Sequence, residues 1–322
     1  MVLRHQKDVS RKKEDGMATS GAIQISELRD LIAQLAPRDG AHQTAIASLR
    51  LMRYSLPSRP ICGVLSPTVG ICAQGRKELL LGDEEVYSYG PGQHFVTSFE
   101  LPLSARILEA TPGKPYLGLA LEFNLTSVRG LIEEARLPTP PDGASKRGLY
   151  VSPIAPSLLD TVLRLVRLLQ SPAEIAVLAP MFEREILFRL LQDESSVLLH
   201  RMVQADSQPQ RIAVAIVWLR KHFHEAFRVD ELARQAGMST SGFHHWFRDI
   251  TGMSPLQYQK QLRLQEARSI LRNERKDVGT VSRRVGYESC SQFSREYRRL
   301  FGNPPVQEIG KRISSKADPN SY

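Results

Sequence analysis

The amino-acid sequence predicts an α+β protein with a β-rich N-terminal domain and an all-α C-terminal domain. A chain of 322 residues is long enough for two domains. Short apolar runs broken by turn residues dominate from about residue 45 to 125, and helical spacing dominates after Thr126. Near the end of the chain, the pattern that starts at Ser241 returns at Ser291. These observations predict an antiparallel barrel or sandwich, then helices, then a duplicated helical unit.

The composition is that of an ordinary globular protein, with 42% hydrophobic and 24% charged residues. The net charge is +9, and residues 209–312 alone hold 19 Lys and Arg against 10 Asp and Glu. The whole positive excess therefore lies in the last third of the chain, where a polyanion such as nucleic acid is the expected partner. A basic helical domain without such a partner is the alternative that charge alone leaves open.

No apolar run approaches the roughly 18 residues that a membrane-spanning helix needs, so we expect no membrane association. Residues 1–20 are charged and lack the apolar region of a secretory signal. We expect them to form a disordered tail, with either Met1 or Met17 as the start of translation. The three cysteines lack metal-binding spacing and suit a reducing cytoplasm.

The N-terminal domain is expected to span residues 21–205. A helix is predicted over residues 24–36. The predicted strands are ASLRLMRYS, TVGICAQG, KELLLG, EEVYSYG, QHFVTSF, SARILEA and LGLALEF. Their short length and close spacing are typical of an antiparallel barrel or sandwich, and Gly82-Asp83 is predicted to form a hairpin turn.

Helices are predicted to follow these strands. The first, TSVRGLIEEARL, is expected to be capped by Thr126 or Ser127. Three leucine-rich segments with helical spacing come next: SLLDTVLRLVRLLQ, PAEIAVLAPMFEREILFRLLQ and SSVLLHRMV. They either form a dimer surface or only cover the sheet. A helical domain is expected over 206–312, with a linker at its start over 206–209. A disordered tail is expected over 313–322.

The repeated segment has the layout of a helix-turn-helix (HTH) unit. In the first unit, residues 229–252, a short helix leads to a turn at Gly237 and a second helix; in the second unit, residues 277–302, the turn is at Gly286. Aromatic residues spaced i, i+4 are expected to fix each second helix to the core. Between the units, a helix capped by Ser254 is expected to run for about 27 Å. This is long enough to hold two recognition helices near the roughly 34 Å repeat of successive major-groove turns.

These motifs resemble the DNA-binding domain of the AraC/XylS family of transcription regulators. The resemblance covers about 211–310 and rests on GMSTSGFHHWFRDITGMSPLQYQKQLRLQEARSIL and VGYESCSQFSREYRRLFGNPP. The segments CAQGRKELLLGDEEVYSYGPGQHFV and LPLSARILEATPGKPYLGLALEFN are similar to the N-terminal sensor domain of one subgroup of that family. The resemblance implies a cupin-like antiparallel β-barrel with flanking helices, followed by two HTH units joined by a long helix.

The resemblance also implies which residues contact DNA, on recognition helices near 239–250 and 289–301. The base-reading positions of the family fall on Ser241, Gly242, His244, His245, Cys290, Ser291, Gln292, Ser294 and Arg295. In the second unit, Arg295 can donate two hydrogen bonds to guanine and Gln292 can pair with adenine. In the first unit, His245 stands where many relatives have arginine and Gly242 has no side chain, so this unit is expected to be the poorer reader.

Phosphate contacts are expected from arginines beside the base-reading positions, with a solvated helix face as the alternative. These arginines are Arg248, Arg283, Arg284, Arg298 and Arg299.

The barrel region offers candidates for binding a small effector. The segments GPGQHF and PGKPYLG are expected to rim a barrel mouth, unless they are only turns. The predicted ligand-pocket residues are Tyr87, Tyr89, His94, Phe95 and Tyr116. They suit a small and partly apolar molecule.

No metal site, cofactor or catalytic set is expected. The adjacent histidines 244 and 245 point to different sides of a helix and lack further ligands. Motifs of nucleotide-phosphate loops are absent from the sequence. Cys62 and Cys72 are better explained as small buried residues, with a thiol switch as the alternative.

The sequence therefore predicts a non-enzymatic transcription regulator of the bacterial cytoplasm that binds double-stranded promoter DNA. RNA polymerase is a further expected partner, and activation is the expected effect. A small effector is expected to act through the N-terminal domain; alternatively, that domain serves only dimerisation or polymerase contact. A homodimer would form through the N-terminal domain. A cupin-type enzyme is the remote alternative, disfavoured because the sheet region contains almost no histidines.

Overall fold

The computed structural model describes residues 21–309 except for 59, 83–84, 98, 141–146, 205–206 and 275. The predicted tails at 1–20 and 313–322 lie outside the described residues, as do Asp83 of the predicted hairpin turn and Asp206 of the predicted linker. Within the described part of the chain, no helix is both long and apolar enough to cross a membrane.

Two antiparallel β-sheets form the N-terminal domain. The strands, in chain order, are β1 (Gly40–Gln43), β2 (Leu49–Tyr54), β3 (Ile61–Leu65), β4 (Thr68–Gln74), β5 (Arg76–Leu81), β6 (Glu85–Tyr89), β7 (Gln93–Thr97), β8 (Leu101–Glu109), β9 (Tyr116–Glu122) and β10 (Leu149–Pro153). Sheet 1 has the order β1-β2-β9-β4-β7-β10, and sheet 2 has the order β3-β8-β5-β6. This pair of antiparallel sheets confirms the predicted barrel-like architecture.

The predicted strands correspond to β2 and to β4 through β9, so that prediction is confirmed. Strands β1, β3 and β10 were not predicted, because their sequence patterns are weak. β1 lacks β-branched and aromatic residues, β3 contains Gly63, and β10 ends at Pro153. Each becomes a strand by pairing with a stronger neighbour, namely β2, β8 and β7 respectively.

The space between the two sheets is filled by side chains. A Cβ atom on Gly70 would overlap the ring of Phe95, so this glycine leaves room for the aromatic side chain. From sheet 2, the fully buried Lys77 crosses the interior to sheet 1, with its Nζ 3.9 Å from Sδ of Met52. The interior described by these contacts is therefore mainly aromatic and apolar, and Lys77 brings a charged group into it.

Helices cover the outer face of sheet 1. Those of the N-terminal domain are α1 (helical from residue 21 to residue 35), α2 (Leu125–Glu134), α3 (Pro156–Arg167), α4 (Pro172–Leu190) and α5 (Ser196–Val203). Leu51, Ile71 and Leu119 lie side by side on that face, fully buried, in one cluster with Leu28 and Ile32 of α1. The leucine-rich helices α3, α4 and α5 belong to the same cluster, through residues that include Leu159, Leu187 and Leu199.

The C-terminal domain is helical, as predicted. Its helices are α6 (Gln208–Lys221), α7 (Val229–Gln235), α8 (Thr240–Thr251), α9 (Pro255–Glu274), α10 (Val278–Arg284) and α11 (Cys290–Phe301), followed by a 3-10 turn at Pro305–Glu308. The long helix α9 joins the two HTH units, and at 1.5 Å per residue its 20 residues extend about 30 Å.

Two helix starts test the capping predictions. Ser254 accepts a hydrogen bond from the amide of Gln257, whose side chain accepts one from the amide of Ser254 in return. The prediction of a Ser254 cap for α9 is confirmed. The prediction for α2 was wrong, because Asn124 caps it by accepting from the amide of Thr126 at 2.7 Å. A cap at Asn124 lets α2 start before the predicted residues.

The buried apolar residues fall into two clusters. The larger runs without a break from the N-terminal domain into the first HTH unit, where it includes Phe243 and Phe247, and on to Tyr258 of α9. The second HTH unit has its own cluster, which includes Leu271, Val281 and residues of α11. The first unit is thus packed as part of the N-terminal domain, and the second unit has a separate core.

Candidate nucleic-acid interface

The first HTH unit consists of α7, a glycine turn and α8. Leu232 and Ala233 of α7 are buried. The small side chain of Ala233 lets the two helices approach closely. Gly237 makes the turn with a φ of +66°, a left-handed conformation that favours glycine. Ser239 then caps α8, its Oγ accepting from the amide of Gly242 at 3.2 Å. The turn and helix starts agree with the sequence prediction.

The second HTH unit repeats this arrangement with α10 and α11. Asp277 caps α10 through the amide of Thr280 at 2.9 Å, and Ser289 caps α11. The turn residue Gly286 has a φ of +89°, and a Cβ atom there would collide with the carbonyl oxygen of His224. Two reasons therefore favour glycine at this position: the left-handed conformation and the close approach of the His224 backbone.

Aromatic pairs fix both recognition helices to their cores. The ring centroids of Phe243 and Phe247 are 5.5 Å apart, and so are those of Phe293 and Tyr297. All four residues are fully buried. Because residues four apart share one face of a helix, most of the remaining polar residues of α8 and α11 face outward; Thr251 at the end of α8 is the buried exception among the described residues.

The predicted base-reading residues lie on these outward faces. The exposed ones are Ser241, His244, His245, Cys290, Ser291, Gln292 and Arg295, and the half-buried ones are Gly242 and Ser294. In α8, Nε2 of His245 lies 3.3 Å from Oδ2 of Asp249. In α11, the exposed Arg295 forms no ion pair within the described part of the chain. Its guanidinium is therefore available to a ligand without first breaking a contact.

The predicted phosphate-binding arginines are all exposed and lie at helix ends. They are Arg248 in the last turn of α8, Arg283 and Arg284 in the last turn of α10, and Arg298 and Arg299 in the last turn of α11. Arg284 pairs with Glu274, with Nη1 2.6 Å from Oε2. A phosphate at Arg284 would have to compete with that carboxylate.

A glutamate that the sequence analysis did not single out lies within α11. Oε1 of Glu296 accepts a hydrogen bond from Nε2 of Gln292 at 3.2 Å and lies 3.2 Å from Nζ of Lys260. Its Oε2 accepts from the hydroxyl of Tyr287 at 2.7 Å. The i, i+4 spacing of Gln292 and Glu296 was a signal for this contact.

Arg263 of α9 connects the second HTH unit to the segment between α6 and α7, and the sequence did not point to it. Its guanidinium donates to the carbonyl oxygens of Phe223 at 2.6 Å, Glu225 at 2.9 Å and Gly286 at 2.8 Å. The first two acceptors follow α6, and the third is the turn of the second unit. Arg263 therefore fixes the turn of the second unit relative to the segment that leads into the first unit.

The N-terminal domain contacts the far end of the first recognition helix. Nη1 of Arg147 donates to the carbonyl oxygens of Arg248 and Asp249 at 2.6 and 3.0 Å, while the same side chain pairs with Glu85 of sheet 2. The amide of Gly148 also donates to the carbonyl of Ile250 at 3.0 Å. These bonds satisfy carbonyl groups at the end of α8 and leave its outward face free.

Four of the predicted ligand-pocket residues lie in two different places. Three are in the interior between the sheets, and one is on the helix-covered face of sheet 1. Tyr89, Phe95 and Tyr116 meet in the interior, with ring centroids of Tyr89 and Phe95 5.2 Å apart. His94 lies on the opposite, helix-covered face, its Nε2 3.7 Å from Oδ2 of Asp193. Burial lowers the pKa of His94. The structure therefore separates His94 from the aromatic residues with which it was grouped.

The fifth predicted pocket residue, Tyr87, is half-buried and donates to Glu85 at 2.8 Å. Burial and that carboxylate raise its pKa.

An open groove of about 520 Å³ lies at one end of the barrel. Ala22 and Ile25 of α1 form one side, and Pro91, Gly92 and Leu159 contribute to the rest. Pro91 and Gly92 belong to GPGQHF, one of the two segments predicted to rim a barrel mouth. The groove is mainly apolar and lies between α1 and the turn at Pro91 and Gly92; the interior aromatic residues do not line it.

The three cysteines are free thiols. Cys62 and Cys72 are buried, as expected of small core residues, and burial raises the pKa of Cys72 to about 12. Cys62 lies where sheet 2 meets α11, with Sγ 2.8 Å from the hydroxyl of Ser104. Within the described residues, no group of histidines, cysteines and carboxylates has the arrangement of a metal site.

Comparison with known proteins agrees with this geometry. The model of the N-terminus of AraC-type transcriptional regulators matches residues 45–197, and a helix-turn-helix domain model matches residues 232–308. The HTH-type transcriptional activator RhaS of Escherichia coli O1:K1 / APEC is 30% identical over 152 residues, which are 46% of this chain and 53% of RhaS. The chain thus spans about half the length of the curated relatives it matches.

Solved structures share the fold. ToxT from Vibrio cholerae strain SCE256, with a bound unsaturated fatty acid, has a TM-score of 0.54 at 9% identity, over 84% of this chain and 97% of ToxT. ToxT from Vibrio cholerae O395 has a TM-score of 0.51 at 10% identity, over 83% of this chain and 99% of that one. A β-rich N-terminal domain, two HTH units and the two matching family models lead to one conclusion. The chain belongs to the AraC family of transcriptional regulators and has an N-terminal domain of the AraC type.

Proposed function

We propose that this chain regulates transcription by binding promoter DNA, reading two adjacent major-groove segments with α8 and α11. The observation that carries the proposal is the duplicated recognition helix, whose aromatic i, i+4 pair is buried while its predicted base-reading residues are exposed or half-buried. The net positive charge of residues 209–312 supplies the attraction for the phosphate backbone. Base reading falls mainly to the second unit, where Ser291, Gln292 and Arg295 carry the chemistry that reads base edges.

A small, partly apolar effector is proposed to act through the N-terminal domain. The apolar groove beside α1 and the aromatic interior support such a ligand, although the groove is lined by Pro91 and Gly92 rather than by the predicted tyrosines. ToxT, which shares the fold, has been solved with a bound fatty acid. We propose that the domain binds its ligand without converting it, in keeping with the family of transcription regulators that the chain resembles.

A homodimer through the N-terminal domain is the second element of the proposal. Val177 and Met181 of α4 are 67% and 60% exposed and lie one turn apart, so together they present an apolar surface that a second chain could cover. These two exposed side chains also fit the alternative in which the N-terminal domain serves only dimerisation or contact with RNA polymerase. In either case, the chain would act in the cytoplasm, where promoter DNA and polymerase are found.

Footprinting tests the DNA-binding proposal. The full-length chain is bound to DNA from upstream of its own and neighbouring genes at two salt concentrations. We expect protection of about two helical turns per chain that weakens steeply with salt. Arg295→Ala should change the protected sequence, whereas Arg129→Ala, which removes an exposed arginine of α2, should not. Equal protection of all DNA by both variants would contradict sequence-specific reading.

A further inference from the structure

Glu296 is placed to control how Gln292 presents its amide group. Gln292 is exposed, and its Nε2 donates to Oε1 of Glu296 one helical turn later. The carboxylate is held from two other elements, by Lys260 of α9 and by Tyr287 in the turn before α11. Its side chain is only 20% exposed. An exposed side chain is thus tied to a carboxylate that cannot move freely.

The charge of Glu296 fixes the direction of this hydrogen bond. Partial burial acts to raise the pKa of Glu296, but hydrogen bonds from Tyr287, Gln292 and Lys260 outweigh burial, and the pKa lies below its ordinary value. Glu296 is therefore ionised at neutral pH and can only accept hydrogen bonds. The amide of Gln292 must turn its NH2 group toward Glu296, because the flipped amide would place its oxygen against the carboxylate.

We propose that Glu296 is a positioning residue that fixes the amide of Gln292 in the orientation that reads adenine. One N–H of Gln292 goes to Glu296, which leaves the other N–H and Oε1 side by side for a base. Adenine offers the matching acceptor N7 and donor N6, whereas guanine offers two acceptors, N7 and O6. An amide that cannot flip therefore favours adenine over guanine. This inference rests on the proposed function, in which Gln292 reads a base.

Lys260 and Tyr287 explain why a carboxylate can occupy this position so close to DNA. The ammonium group of Lys260 offsets the negative charge that would otherwise repel the phosphate backbone. The ring of Tyr287 packs edge-on against buried Phe293, with centroids 5.3 Å apart, so its hydroxyl is presented from a rigid support. Both contacts hold the Glu296 carboxylate before DNA binds.

The test compares two variants of the full-length chain that each remove one negative charge. Glu296→Gln replaces the acceptor by an amide that can pair with either orientation of Gln292. Glu288→Gln is the matched control, because Glu288 is exposed in the same unit and its side chain forms no hydrogen bond or ion pair within the described part of the chain. Binding is measured on the footprinted site and on versions in which each base pair is replaced in turn.

For Glu296→Gln, we expect the preference for adenine over guanine to fall about tenfold at one base pair while the other positions keep their preferences. Glu288→Gln should keep the preference at every position. If Glu296→Gln instead changes binding to all versions equally, as loss of a charge alone would, the positioning role is refuted. Tyr287→Phe keeps the ring and removes one hydrogen bond to Glu296, so a smaller loss at the same base pair is expected even if Glu296→Gln folds poorly.

Gln292→Ala separates this inference from the proposed function. If Gln292→Ala abolishes the adenine preference and Glu296→Gln keeps it, only the positioning role of Glu296 is wrong. If Gln292→Ala leaves every base preference unchanged, Gln292 reads no base, and both the base-reading assignment and the inference fail.

Discussion

Phe293→Ala should destabilise the second HTH unit while the stability of the rest of the chain stays unchanged. The Phe293 ring is fully buried, with its centroid 5.3 Å from that of Tyr287 and 5.5 Å from that of Tyr297. Removing a buried phenyl ring costs about 3–5 kcal/mol, because apolar burial is lost and a cavity remains. Whole domains are stable by only about 5–15 kcal/mol. The loss falls on a cluster that is separate from the larger core.

The positions of the tryptophans make this local effect measurable. The sequence contains two tryptophans, Trp218 in α6 and Trp246 in α8, and both pack against the larger core, so tryptophan fluorescence reports on that core and not on the second unit. Far-UV circular dichroism reports on all helices. In a urea titration of Phe293→Ala, we expect part of the dichroism signal to be lost at lower urea while the fluorescence midpoint stays unchanged. The control Ser291→Ala, an exposed change on the same helix, should alter neither signal.

Two results would refute the reasoning. If the fluorescence and dichroism midpoints of Phe293→Ala shift together, the two clusters unfold as one cooperative unit and the separation of the cores has no energetic meaning. If neither midpoint shifts, Phe293 does not support the core of the second unit.

Three further substitutions test the interface and the contacts that position it. Arg295→Ala should cost about 1–3 kcal/mol of binding free energy at one base pair of the footprinted site, and uniform weakening on all DNA would mean that Arg295 contacts phosphate instead. Gly286→Ala should lower the unfolding free energy more than Gly302→Ala, because both glycines have positive φ but only at Gly286 would the new Cβ collide with a backbone carbonyl; equal losses in urea titrations would contradict this. Tyr258→Phe removes a 2.6 Å hydrogen bond to the carbonyl of Glu100 and should cost about 1 kcal/mol, so an unchanged Tm would show that this bond does not stabilise the contact between the domains.

The HTH units were predictable because their determinants are local. An aromatic pair spaced i, i+4 and a glycine at a turn act within one unit, so the sequence displays them directly. Strands β2 and β4 through β9 were predictable for the same reason, since each has a marked apolar pattern. β1, β3 and β10 were not, because they depend on pairing with strands distant in sequence.

The grouping of His94 with Phe95 shows where the sequence reasoning about the effector site was incomplete. Neighbouring residues of a strand point to opposite faces of the sheet, so the two could not share one pocket. The alternation of side chains along the strand therefore already excluded either His94 or Phe95 from the pocket. Which of the two faces the interior depends on how the sheets are stacked, and only the structure supplies that.

Contacts to backbone atoms explain most of what the sequence could not reveal about the interface. Arg263 and Arg147 bind carbonyl oxygens, and every residue has a carbonyl, so no side-chain pattern marks these acceptors. The role inferred for Glu296 depends on three elements, since Lys260 and Tyr287 reach it from outside α11. A pairwise spacing rule suggests its contact with Gln292 but not the support that gives this contact its direction.

The two recognition helices differ in what holds them, and this difference bears on how they read DNA. α8 belongs to the larger core, and Arg147 of the N-terminal domain binds its last carbonyl groups. α11 has its own core, and its outward face carries a glutamine whose amide is already oriented. A reader with fixed side chains loses little conformational entropy when it binds a base, whereas the first unit presents Gly242, which has no side chain to fix. Sequence specificity should therefore reside mainly in α11, while the position of α8 is set by the domain proposed to bind the effector.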